Sequence, residues 1–391
     1  MTAIKNGKII TPEKIVEGKT LLLDKDRILG FADDDIANGA QRIVNAHNRY
    51  VMPGIIDIHS DKIEQYIQPR PTSQMDFEFA LKVCERDLLG SGITTMYHSI
   101  SLYQDEFFGK SPLRTKVNVQ KIADLIANIH LRSHLIHHLL HLRVEIDNLE
   151  SFDIVRDMIN QNKTHLISFM DHTPGQGQYS DLGLYHEAIS KYNGKEIDTL
   201  GFDGVVEHHK NKKTLSPKQL KELARLAREK GIAAASHDDD TKEKLDLNRE
   251  IGVDISEFPI TLETAKYAKE QGFCTVMGAA NILRGCSHSG NLSATEAVLE
   301  GFADILCSDY YPAAILHSIF HMNEKFGVKL PEMVNKATLN PAKATRTDKD
   351  YGSLEPGKKA DLLIVELLDG YPVITHVFVD GNPTSRIEYR R

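Results

Sequence analysis

The chain has little cysteine, no long apolar run and no surplus of positive charge. Its four cysteines, Cys84, Cys274, Cys286 and Cys307, fall at no paired spacing in 391 residues. That excludes a disulfide framework and a zinc knuckle, and it suits reduced thiols in a cytoplasmic protein. No apolar stretch approaches the ~20 residues that span a bilayer. The opening Met1-Thr2-Ala3-Ile4-Lys5-Asn6-Gly7 contains no apolar signal core, so neither membrane insertion nor secretion is expected. A formal net charge of −8 argues against broad binding to nucleic acid or acidic membranes, which needs a basic face. It leaves room for a small anionic substrate if metal ions and arginines create a local positive pocket.

What is present has the balance of a soluble globular protein, 41% hydrophobic and 26% charged. The length suits one large barrel with a smaller second domain. Five apolar runs each end on a histidine or an acid. They are 55–59, 139–145, 166–172, 232–237 and 304–309, closing on His59, Glu145, His172, His237 and Asp309. Such a run reads as a buried parallel strand with a metal-ligand type at its C-terminal end. One such end is equally a helix cap. Five in order fit the strand ends of a (β/α)₈ barrel, where barrel active sites lie. Asp61 adds an H-x-D pair with His59, and residues two apart on a strand share a face. Imidazoles and carboxylates suit zinc, manganese or iron. Asp238, after His237, is placed to orient the imidazole. His137-His138 and His208-His209 read as packing or surface histidines and stay outside the site.

Strand candidates lie at 54–59, 93–97, 138–145, 165–170, 232–236, 253–257, 274–277 and 304–307, with helical patterns between them. Ser216 reads as an N-cap and Pro217 as the first helical residue, with Leu220, Leu223, Ala224 and Ala227 as the apolar stripe. Alternating strands and helices imply a parallel sheet, and eight units imply closure. Short β-branched runs with turn signals occupy both ends of the chain. The expected architecture is an α/β chain: a (β/α)₈ TIM barrel at 52–345 and a small discontinuous β-sandwich from 1–51 and 346–391. The segment 173–215 is long for a barrel loop and is a candidate lid.

Two further loops carry arginine. Gln68-Pro69-Arg70-Pro71 holds Arg70 in a stiff turn. Residues 277–291 mix Gly, Ser and Asn with Arg284, as a phosphate cradle would, after the seventh strand. Its candidate substrate-binding residues are Asn281, Arg284, Ser287, His288 and Ser289, together with Arg70. A phosphate role for this loop favours a phosphorylated substrate; without it, a carbon–nitrogen hydrolase on the same barrel is the alternative.

The entry Met52-Pro53-Gly54-Ile55-Ile56-Asp57-Ile58-His59 and the segment Gly352-Ser353-Leu354-Glu355-Pro356-Gly357 resemble the amidohydrolase superfamily. Ser287-His288-Ser289-Gly290-Asn291 and Ser308-Asp309-Tyr310-Tyr311-Pro312-Ala313 are similar to its phosphonate-metabolism diphosphatase branch. The usual H-x-H is H-x-D here, the usual bridging lysine is replaced by Glu145, and the tryptophan common in that branch is absent. The resemblance implies two divalent metal ions, zinc first and manganese or iron next. Their ligands would be His59, Asp61, Glu145, His172, His237 and Asp309, with Asp309 also the catalytic base. It implies hydrolysis of the α–β phosphoanhydride of a phosphonate-bearing ribosyl 5-triphosphate to the 5-phosphate and pyrophosphate. The expected partner is a small phosphorylated sugar, with no nucleic acid and no membrane; a homodimer is compatible with the sequence.

Overall fold

A computed structural model of the chain describes residues 1–33, 39–103, 112–177, 182–183, 185–186, 201–285 and 291–390. Its apolar runs become eight parallel strands that pair in sequence order. They are Ile55–Ser60, Ile93–Leu102, His137–Glu145, Leu166–Met170, Ala233–His237, Ile255–Glu257, Cys274–Gly278 and Ile305–Cys307. Among the described residues the last strand returns to the first at one parallel bridge, Ser60 to Asp309. There the Asp309 amide donates to the His59 carbonyl at 2.9 Å, and the Asp61 amide donates to the Asp309 carbonyl at 3.0 Å. Alternation along each strand separates two cores. Ile56, Ile58, Tyr97, Leu166, Ala235, Val276 and Ile305 fill the barrel interior. Met96, Ile100, Leu140, Leu142 and Val144 face outward against the surrounding helices. Alanines at 233 and 235 leave room for Tyr97 and the isoleucines opposite.

The helix Pro217–Glu229 starts where its sequence signals place it. Ser216 caps it, its hydroxyl accepting from the Gln219 amide while the Gln219 side chain takes the Ser216 amide, with proline first. Leu220, Leu223, Ala224 and Ala227 are its buried face, so capping and periodicity agree.

Both ends of the chain meet in two further sheets. One orders Arg27–Ala32, Thr20–Asp24, Thr2–Lys5 and Arg42–Asn45; the other joins Lys8–Ile10 and Tyr50–Pro53 to Leu362–Leu368, Tyr371–Val379 and Asn382–Arg386. Ile4, Ile9, Leu21, Val51, Leu362, Ile364 and Phe378 bury one another between them. This small β unit grips the lower end of the barrel. The Gly54 amide donates to the Asp361 carbonyl at 2.9 Å, and Gly54 is where Tyr50–Pro53 turns into the first barrel strand. A Cβ on Gly54 would lie 2.1 Å from Thr94 Oγ1, so only glycine lets the first two barrel strands approach there. From the barrel side, His137 Nε2 lies 3.0 Å from Asp361 Oδ2.

Two expectations change shape. Residues 279–284 form a helix, Ala279–Arg284, not a loop, because Ala279 and Ala280 favour helix and Gly285 ends it at φ 76°. Of the candidate lid, 178–181, 184 and 187–200 lie outside the described residues, as do Cys286, Ser287, His288 and Ser289. The described part includes a helical stretch at 201–210, where Phe202 and Val205 pack with Tyr185.

Candidate metal centre

The strand ends deliver their polar residues to one mouth. His59, in the first strand, is buried, with Nδ1 2.9 Å from Glu257 Oε1 at the end of the sixth. Its ring lies 5.3 Å from that of His237 and 5.1 Å from that of His141. One ligand atom from each of His59, His237 and Glu257 falls within 4.8 Å of the others. His59 and Asp61 do not sit side by side on a regular strand. The pairing register shifts between Asp57 and Ser60, and Asp61 stands at the start of the helix Lys62–Ile67 without a side-chain capping bond. Asp57 supports this bend: its Oδ1 accepts from the His59 amide at 3.3 Å and the Ser308 amide at 3.1 Å.

A second group faces it. Glu145 ends the third strand and lies 2.8 Å from His172 Nδ1, after the fourth. Arg143, two residues before Glu145 on the same strand, makes no ion pair with it among the described residues. Asp309 follows the eighth strand at φ 61° and reaches Asp61 through the barrel seam. His237 Nδ1 lies 2.8 Å from Asp238 Oδ2 but off the hydrogen-bonding direction, so it has no true bond there.

Burial sets the charges. It pushes the Asp309 carboxyl up to about 7, with Asp61 adding to the rise. Burial and then Glu64 raise Asp61, and burial raises Glu257. Burial lowers His59 well below its ordinary value, with Arg143 and His237 adding to it. The His59–Glu257 contact is therefore a hydrogen bond more than an ion pair. Glu145 and His172 go the other way. Burial opposes both charges, yet their mutual attraction lowers Glu145 and raises His172.

Does this cluster fit a divalent ion? Of the buried side-chain polar atoms left without a partner, most gather here: Asp57 Oδ2, Asp61 Oδ1, Arg143 Nε, His237 Nδ1, Glu257 Oε2, Asn281 Oδ1 and Ser308 Oγ. Buried polar atoms rarely stay unpaired in a folded protein. Imidazole nitrogens and carboxylate oxygens converging with unused lone pairs suit zinc, manganese or iron. The residues fit the group.

The residues expected from sequence separate into three sets. His59, His237, Asp61, Glu145, His172 and Asp309 come to one mouth. Asn281 approaches it, since a Cβ on Gly278 would meet Asn281 Nδ2 at 3.6 Å and Asp309 Cβ at 3.8 Å. Arg70 is exposed beyond the first barrel helix, and Arg284 is the exposed last residue of its own helix, on a groove with Glu296, Glu300 and Lys325. Sequence reading missed Glu257. Its strand, 253–257, ends on an acid, as the other five end on a histidine or an acid, but Asp254 and Ser256 break the apolar run that marked them. It also set His209 aside, although His209 lines a small cavity with His172 and Asp171.

Comparison with known proteins gives the same picture. The amidohydrolase family model matches residues 50–385. The alpha-D-ribose 1-methylphosphonate 5-triphosphate diphosphatase of Escherichia coli (strain K12) is 31% identical over 386 residues, 97% of this chain and 98% of that protein. The 5-methylthioadenosine/S-adenosylhomocysteine deaminase of Pyrococcus furiosus is 21% identical, over 99% of this chain and 90% of its own length. The crystal structure of N-acetylglucosamine-6-phosphate deacetylase from Pasteurella multocida superposes with a TM-score of 0.65 at 12% identity, over 97% of this chain and 98% of that one. Eight parallel strands with their polar residues at one mouth, and a family model spanning most of the chain, place this protein in the amidohydrolase family.

Proposed function

We propose that this hydrolase cleaves the α–β phosphoanhydride of α-D-ribose 1-methylphosphonate 5-triphosphate, releasing pyrophosphate and the 5-phosphate. The observation that carries the reading is the end-to-end likeness to the Escherichia coli diphosphatase, 31% identity against 21% for the deaminase. Two divalent ions, zinc first, would be held by His59, Asp61, Glu145, His172, His237 and Asp309, with Glu257 added. Bound there, they supply Lewis acidity and positive charge.

The chain's own residues do the rest. Asp309, pushed up to about 7, is poised to take a proton near neutral pH. The oxygen of water joins the α-phosphorus, the bond from that phosphorus to the α–β bridging oxygen breaks, and pyrophosphate carries the electron pair away. Asp309 accepts the proton of the attacking water. Arg70 and Arg284, both exposed outside the mouth, are not assigned the terminal phosphates in this reading; Asn281, which approaches the mouth, is the described candidate for them. A small phosphorylated sugar handled in the cytoplasm fits this reading. No helix among the described residues is long and apolar enough to cross a membrane.

The test is a phosphorus NMR assay of purified protein, offered ribosyl triphosphates and, in parallel, dihydropyrimidines, with metal analysis of the same sample. Pyrophosphate release with about two ions per chain supports the reading. Turnover of the dihydropyrimidine alone would replace it with a carbon–nitrogen hydrolase.

A further inference from the structure

Arg143 stands in the wall of this mouth with no assigned task. It alternates with Leu142 and Val144, which pack in the outer core, so its side chain starts toward the barrel interior. It lies between His141 and Glu145 on one strand, in register with Ser101 and Ser168 on the strands to either side. Its charge is felt by His59, Asp61, Glu145, His172, Glu257 and Asp309, which places it among the candidate ligands.

Although four carboxylates feel its charge, none closes an ion pair with it among the described residues, and its Nε is buried without a partner. Neighbouring Ser101 Oγ is also unpaired. Arg114 makes the contrast. It also lies near Asp61 and Glu145, but its guanidinium is committed to Glu64, with contacts of 3.1, 3.2 and 3.3 Å. A partly buried guanidinium without a partner is costly to keep. A site built for a neutral ring or amide has no use for a fixed cation beside metal ions, because the two repel. An anion that enters between them removes the repulsion and uses the free donors.

We propose that Arg143 is a catalytic residue that binds the non-bridging oxygens of the phosphoryl group at the metal centre, with Ser101 as a second donor. This rests on the diphosphatase reading and adds to it a cation beside the metal centre, where pyrophosphate would place a phosphoryl group. Guanidinium offers two parallel N–H donors to a phosphoryl group, and a lysine offers only a point charge.

The experiment uses the metal-loaded full chain and inorganic pyrophosphate as probe, with binding followed by calorimetry. Arg143→Gln is expected to weaken pyrophosphate binding by about tenfold or more, the size of one charged hydrogen bond. Metal content should stay as in the parent, and added guanidinium ion should restore part of the affinity. Turnover should fall through kcat more than through KM, since the contact is at the reacting phosphorus. Arg143→Lys, which keeps the charge, should fold if Gln does not and should bind with intermediate affinity. Parent-like pyrophosphate affinity in both variants overturns the role of Arg143. So does loss of metal from both variants, which would make the arginine a structural counter-charge. A parent protein that neither binds pyrophosphate nor cleaves a triphosphate overturns the diphosphatase reading itself, and the inference with it.

Discussion

Asp309 carries three demands on one side chain. It sits at φ 61°, its carboxyl is raised to about 7 by burial and by Asp61, its amide donates to His59 in the first strand, and its carbonyl accepts from Asp61 just beyond that strand. Asp238 at φ 52° and Phe258 at φ 55° share the left-handed backbone, one after the fifth strand and one after the sixth. Non-glycine residues in that region cluster where a site needs a side chain turned sharply out of a strand. Asp309→Asn is therefore a clean probe. Asparagine tolerates the same backbone, so the fold should survive, while turnover should fall by at least ~100-fold with the acid–base group gone. Near-normal turnover would remove Asp309 from the proton's path.

At the scale of elements, the chain was most readable where one physical signal ruled. Each expected barrel strand is present within a few residues, because a strand buried on both faces must be apolar throughout. The helix after Ser216 was readable from its cap. Glu257 was hidden because its strand is short and half polar. The helix Ala279–Arg284 was hidden because glycine and serine beyond it read as one continuous loop. The pairings of His59 with Glu257 and of His172 with Glu145 join residues far apart in sequence, so only the closed barrel reveals them. The turn at Asp380-Gly381 has a steric reason. Gly381 has φ 71°, and a Cβ there would come within 1.8 Å of the Lys25 carbonyl oxygen. Gly381→Ala should destabilise the protein by about 2–4 kcal/mol, since backbone cannot step aside as a side chain can. Denaturant titration of the variant checks it; an unchanged midpoint would show that the two ends of the chain meet more loosely.

Across the whole molecule, the barrel and the β unit are joined by charge as well as by apolar packing. His137 on the third barrel strand faces Asp361 at 3.0 Å and Asp380 at 4.0 Å, while Lys359 bonds Asp380 at 2.7 Å and Asp26 at 2.9 Å. Tyr351, raised to about 12 by burial, stays neutral beside them. Burial disfavours the His137 charge, but Asp361 and then Asp380 overcome it and raise the imidazole above its ordinary value. A raised folded value means that the protonated pair stabilises fully below the unfolded pKa of ~6.5. That contribution fades as pH rises through the folded value. His137→Gln should therefore cost about 1.5–3 kcal/mol near pH 6 and distinctly less at alkaline pH. Denaturation of both proteins at the two pH values measures the gap, and a gap that does not change with pH would show that the contact acts through packing alone.

The barrel closes through the same residues that form its mouth. The amides of Asp309 and Asp61 supply hydrogen bonds where the last strand meets the first, at 2.9 and 3.0 Å, and among the described residues no longer ladder backs them. With the Ser308 amide on Asp57 Oδ1 beside them, they fasten the cylinder at one short seam, and the side chains at that seam include groups that would grip an ion. Stripping the protein with a chelator should then do more than stop turnover. Deuterium should enter the amides of Asp61 and Asp309 faster, while those of the inner strands Leu166–Met170 and Ala233–His237 keep their protection. Uptake spread evenly round the barrel would mean that the ring holds without help from its cargo.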